Sequence, residues 1–125
     1  MAITRAAEAP AFAVPGFQIQ GLTAPSRGAQ ELCTWRLHAA PGAASDPHRL
    51  DHEEVFILLE GTLTVAVDGQ EAILDAGDAL AAPAGALLQV ANRAGTPARA
   101  IVCLPAGAQA VLGDGQALGV PLWAR

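Results

Sequence analysis

Short runs in which apolar and polar residues alternate make up most of this chain, and glycine or proline interrupts them about every eight to ten residues. A period of two is the signature of a strand with one face buried, and apolar spacing at the helical period is absent. The pattern predicts strands over Gly16–Leu22, Glu31–Ala39, Glu54–Leu59, Thr62–Val67, Gln70–Leu74, Ala86–Ala91 and Ala98–Leu104. Asp68-Gly69 lies between two alternating runs and suits the positive backbone angles of a two-residue hairpin turn. Glu60-Gly61 marks a second tight reversal, and Pro83-Ala84-Gly85 a turn that pairs a fixed with a permissive backbone position. In the second run Cys33, Trp35 and Leu37 form an apolar face. Thr34, Arg36 and His38 form the other, so Trp35 is expected inside and His38 outside. Many short antiparallel strands in one small unit must bury their inner faces against each other, which means an all-β sandwich or closed barrel.

A length of 125 residues suits one domain, large enough to remove roughly two thirds of the unfolded chain's surface from water. Residues 1–15 read as an N-terminal tail or an arm on a neighbouring subunit, and residues 16–125 as the β domain. The apolar end containing Leu118, Val120, Leu122 and Trp123 should not be left in water, so it either caps the barrel or packs on another subunit. A net charge of −5, seven arginines and no lysine leave no basic stripe for a nucleic-acid backbone or an anionic lipid surface. No apolar run approaches the ~20 residues of a membrane helix, and Arg5 and Glu8 interrupt the N-terminus where a secretory signal would be continuous. A cytoplasmic protein is expected, with Cys33 and Cys103 as free thiols.

Two spaced motifs carry the chemistry. The first reads Gly42, five residues, His48, one residue, Leu50, three residues, Glu54, six residues, Gly61. The second reads Gly77, five residues, Pro83-Ala84-Gly85, two residues, Leu88, three residues, Asn92. Both resemble the paired motifs of the cupin superfamily across the middle half of the chain. The resemblance implies a single cupin jelly-roll β-barrel, the double-stranded β-helix, and a homodimer. It also implies a metal site of three histidines and one glutamate, at positions held here by His48, Leu50, Glu54 and Leu88. A leucine has no lone pair to donate, so two of the four ligands are gone.

Three chemistries follow from what is left. His52 would restore a two-histidine, one-carboxylate set with His48 and Glu54 if the Asp51-His52-Glu53 run turned it inward. The chain would then hold zinc, nickel, iron or manganese and work as an oxygenase, isomerase or cyclase. Without a tightly bound metal, the expectation favoured here, His48 and Glu54 would be a catalytic acid–base pair, or merely a buried structural one. A sensory module would use the same pocket without turnover. By alternation from Glu54, Phe56 and Leu58 share its inward face. Trp35, Leu50, Leu88 and Val90 complete an apolar pocket with His48, His52 and Glu54 at its polar end. Such a pocket suits a small hydrophobic or aromatic metabolite and suits a sugar or nucleotide poorly. Glu53, on the opposite side, is expected in solvent.

Overall fold

A computed structural model of the chain, covering Met1–Arg125, contains twelve strands and three single-turn 3₁₀ helices. The strands are β1 (Ala11–Val14), β2 (Phe17–Thr23), β3 (Leu32–Ala39), β4 (His48–Leu50), β5 (Glu54–Glu60) and β6 (Thr62–Val67). They continue as β7 (Gln70–Asp75), β8 (Ala79–Ala82), β9 (Leu88–Ala91), β10 (Ala98–Pro105), β11 (Ala110–Leu112) and β12 (Ala117–Gly119). They form two six-stranded sheets, ordered β1-β2-β3-β10-β5-β8 and β12-β11-β4-β9-β6-β7, and every pairing is antiparallel. The all-β jelly-roll architecture is thus the one the pattern and the motifs imply.

All seven expected strands are present, with small shifts at their ends. Five more are only three or four residues long, too short to leave a periodic signal, and four of them contain alanine, whose strand preference is low. Strand pairing also extends into the segment read as an arm, because Ala11–Val14 pairs with Phe17–Gln20. The inner faces meet in one cluster of 22 buried residues, to which Trp35, Phe56, Leu58, Val90 and Val102 belong. Asp68 and Gly69 both have positive φ, 50° and 82°, as the primed hairpin turn between β6 and β7 requires.

The motif glycines and the asparagine hold the two sheets together. Asn92 is fully buried. Its Nδ2 donates to the Ala39 and Thr96 carbonyls and its Oδ1 accepts from the Ala94 amide. The Gly42 amide donates to the Asn92 carbonyl, the Gly85 amide to the Leu50 carbonyl and the Gly77 amide to the Leu58 carbonyl, each at 2.8–2.9 Å. These bonds satisfy backbone groups that would otherwise be buried unpaired at the crossings between strands. The same crossings bring β4 and β5, with the candidate chemistry, to one end of the sandwich.

At the C-terminus the turn Leu122–Ala124 lies against β2 and β3. Arg27 Nη2 donates to the Trp123 carbonyl at 3.3 Å, and Cys33 Sγ to the Ala124 carbonyl at 3.4 Å. Trp123 stands edge-on to Trp35 with ring centroids 6.1 Å apart and meets Phe12 of β1 at 6.3 Å. Cys33 and Cys103 are both free thiols. In the β3–β10 register Cys33 faces Leu104 and Cys103 faces Thr34, so the two sulfurs lie on opposite faces of the sheet.

Candidate functional site

A cavity of about 430 Å³ opens between the sheets, and 16 of its 24 lining residues are hydrophobic. Trp35 and Leu37 from β3, Phe56 from β5, Val90 from β9 and Val102 from β10 form its walls, because each sits at an inward position of its strand. Val120 and Trp123 of the C-terminal segment close one side, and Phe17 and Ile19 of β2 line it beside them. The polar lining comes from Ser45, Asp46, His48, Glu54 and Arg125.

Glu54 is the first residue of β5 and only 4% exposed. Its carboxyl makes no hydrogen bond and no ion pair with any other residue. Burial alone, with no compensating charge, pushes its pKa from 4.5 up to about 8. At neutral pH the side chain is therefore a carboxylic acid rather than a carboxylate, able to donate one hydrogen bond or one proton into the cavity.

His48 begins β4 and lines the same cavity. Its Nδ1–H donates to the Asp46 carbonyl at 2.9 Å, which fixes the tautomer and leaves Nε2 as a free acceptor. No hydrogen bond joins His48 to Glu54, so the buried structural pair expected between them does not form. They are two separate polar groups facing one apolar space.

The structure places His52 away from the cavity, not at its polar end as expected. It sits in the bend Asp51–His52 between β4 and β5, half exposed and outside the cavity. Its Nδ1 bonds Asp51 Oδ1 at 2.7 Å, and the same oxygen accepts the Gln109 amide at 2.8 Å. These two bonds hold the Asp51 carboxyl below the usual carboxylate range. They tie the bend to the segment after β10 and hold the imidazole on the side away from the cavity.

Of the expected apolar lining, Trp35, Leu50, Phe56 and Val90 reach the cavity. Leu58 and Leu88 do not. Leu58 is fully buried in the main core, and Leu88, opposite His48 across the β4–β9 pair, packs with Ala82 and Ala86 in a small separate cluster. Sequence reasoning missed Phe17, Ile19, Asp46 and Trp123. The alternation of Phe17, Ile19 and Gly21 against Gln18 and Gln20 was the available signal for β2. Nothing local marked Asp46, which comes to the cavity through the loop before β4.

The metal ligands the family pattern supplies do not assemble. Among the four positions only His48 and Glu54 carry donors, His52 points away, and no three His, Cys, Asp or Glu side chains come close enough to share an ion. The donor set therefore does not fit a family-type metal centre.

The family model for the Cupin domain matches residues 35–104 of the chain. The chain is a cupin. It is 32% identical over 101 residues to a Mycobacterium tuberculosis protein named Beta-D-galactosidase Rv1717, an alignment covering 74% of this chain and 84% of that one. Among solved structures, this cupin superposes on the polyketide cyclase RemF from Streptomyces resistomycificus with a TM-score of 0.76 at 17% identity, over 98% of this chain and 88% of the cyclase. It also superposes on an RmlC-like cupin from Shewanella frigidimarina with a TM-score of 0.71 at 22% identity, over 82% and 88% of the two chains. At these identities the two structures establish the fold and nothing about the reaction.

Proposed function

We propose that this cupin binds a small, largely apolar or aromatic molecule, with Glu54 donating a hydrogen bond to the one polar group of that ligand and His48 facing it from the mouth of the cavity. The observation that carries this reading is Glu54 itself. It is a buried carboxyl without any protein partner, at the wall of a mostly apolar space of about 430 Å³. A neutral acid in such a place favours a ligand acceptor such as a ketone, enol or phenol oxygen over a carboxylate, which would repel it on ionisation, and over a sugar, which needs several fixed polar groups. Proton donation by the same group would make the protein an acid–base enzyme toward an enolisable ligand, with Glu54 protonating the carbonyl oxygen as His48 Nε2 takes the proton from the adjacent carbon.

A thermal-shift screen of neutral aromatic ketones and phenols against wild type and Glu54→Gln tests the reading. Stabilisation of the wild type by one chemical class, reduced in the variant, is the expected result. Hits that stabilise both proteins equally would show that Glu54 does not touch the ligand.

A glycosidase reading is favoured by one specific observation. Asp46 and Glu54 line the same cavity, and Glu54 is held protonated, as the acid of a carboxylate pair must be. The relative named as a β-D-galactosidase points the same way. Hydrolysis of a nitrophenyl β-galactoside that disappears in both Asp46→Asn and Glu54→Gln would establish it in place of the first reading.

A further inference from the structure

A second concavity, of about 450 Å³, lies on the outer face of the β1-β2-β3-β10-β5-β8 sheet, across β3 from the cavity described above. Its polar residues come from two adjacent rows of the sheet. In one row Gln18, His38 and Arg99 are cross-strand partners, and in the next Gln20 and Arg36 are. Strand alternation puts all five on one face, and the antiparallel register makes Arg36 and Arg99 diagonal neighbours. No carboxylate lines the concavity, although the chain as a whole carries a net charge of −5.

Outside this concavity, four of the five arginines find partners within the protein. Arg93 is held by Glu71 through two bonds of 2.6 and 2.7 Å. Arg27, Arg49 and Arg125 donate to backbone carbonyls. Arg36 has neither a hydrogen bond nor an ion pair, and the amides of Gln18 and Gln20 are equally free. Arg99 is only partly engaged, by Glu60 Oε2 at 3.6 Å from outside the concavity and by His38 Nε2 at 3.4 Å. That second contact requires His38 Nε2 to accept, which leaves its Nδ1–H as a further donor. Two guanidinium groups held diagonally on one sheet repel each other unless an anion lies between them, and the guanidinium fork matches an oxyanion in geometry as well as charge. Leu59, Ala11 and Ala13 give the rim an apolar part on which the body of a small molecule can rest.

We propose that this concavity binds the oxyanion group of a small organic anion, a phosphate ester or a carboxylate, between Arg36 and Arg99. The site is separate from the Glu54 cavity and does not depend on the function proposed for it. Titration of the ¹⁵N-labelled protein with inorganic phosphate and, separately, with acetate tests it, with chloride at matched ionic strength as the control and the arginine Nε–H and β2, β3 and β10 amide resonances as the readout. Saturable shifts at Arg36 and Arg99 with one oxyanion and not with chloride are expected, and which anion saturates decides between phosphate and carboxylate. Arg36→Gln, at an exposed position, should keep its fold and bind at least roughly tenfold more weakly. Arg93→Gln, remote and paired with Glu71, should bind as the wild type does. Shifts that never saturate, that chloride reproduces, or that survive Arg36→Gln unchanged would each overturn the proposal.

Discussion

The chemistry of this cupin turns on a few side chains that differ from the family pattern in kind. Leu50 and Leu88 stand where the pattern places imidazoles, and both are buried. The purified protein, never exposed to chelator, should therefore carry clearly less than one transition metal per chain. Elemental analysis showing stoichiometric zinc, nickel, iron or manganese would contradict this. Changing Leu50 and Leu88 together to histidine should restore measurable affinity for zinc or nickel, because Leu88 lies directly across from His48 in the β4–β9 register. The double variant should also lose stability, since polar rings would replace two buried leucines, Leu50 in the cavity wall and Leu88 in its cluster with Ala82 and Ala86.

Glu54 has a consequence for stability as well. Its folded pKa of about 8 lies above its ordinary value of 4.5, so the native state holds a proton that the unfolded chain releases in between. The stability associated with the neutral acid is complete below about pH 4.5 and is lost progressively as pH rises toward 8. The loss should be on the order of 3 kcal/mol between pH 5 and 8, and denaturation of Glu54→Gln should lack this slope. A wild-type slope identical to the variant's would mean the carboxyl is not buried as described.

At the level of strands and turns, the glycines set the geometry, and two of them differ in a measurable way. Gly61 ends β5 with φ +80°, and a Cβ there would lie 2.5 Å from the Pro97 carbonyl oxygen. Gly69 has φ +82° with nothing within 4 Å of its would-be Cβ. Gly69→Ala should cost about 1 kcal/mol, the conformational penalty alone. Gly61→Ala should cost more, on the order of 2–3 kcal/mol, because backbone must also shift. Equal losses in chemical denaturation would show that the loop before β10 yields freely.

The same contrast explains what could be read in advance. The Asp68-Gly69 turn and the long alternating strands follow from local rules, and Gly42, Gly77, Gly85 and Asn92, read from the motifs, bond to backbone groups at the crossings between strands. Short, alanine-rich β1, β8, β11 and β12 follow from tertiary pairing and leave no local trace. The site was legible only in part for the same reason. Glu54 and His48 follow from the resemblance to the cupin motifs, whereas the direction of His52 depends on Asp51 and Gln109, 58 residues apart in sequence. Whether Leu88 reached the cavity depended on packing with Ala82 and Ala86, which alternation does not specify.

Across the whole molecule, an acidic chain encloses an apolar cavity whose inner acid is uncharged at neutral pH. That arrangement ties ligand binding to pH in a way a purely apolar pocket would not show. A neutral, non-titrating ligand that accepts a hydrogen bond from Glu54 binds only the protonated form. Its affinity should therefore be constant well below pH 8 and fall about tenfold per pH unit well above it. At a hundredfold excess over its dissociation constant such a ligand should add about 2.7 kcal/mol, roughly 10 °C in melting temperature for a domain of this size. The measurement is the difference in melting temperature with and without ligand at pH 6.5 and at pH 9.5, because the free protein itself loses stability over that range. In Glu54→Gln, which cannot ionise, the ligand-induced difference should be the same at both pH values. A wild-type shift that is equally independent of pH would mean that the ligand is held by the walls alone and that the buried acid serves the fold.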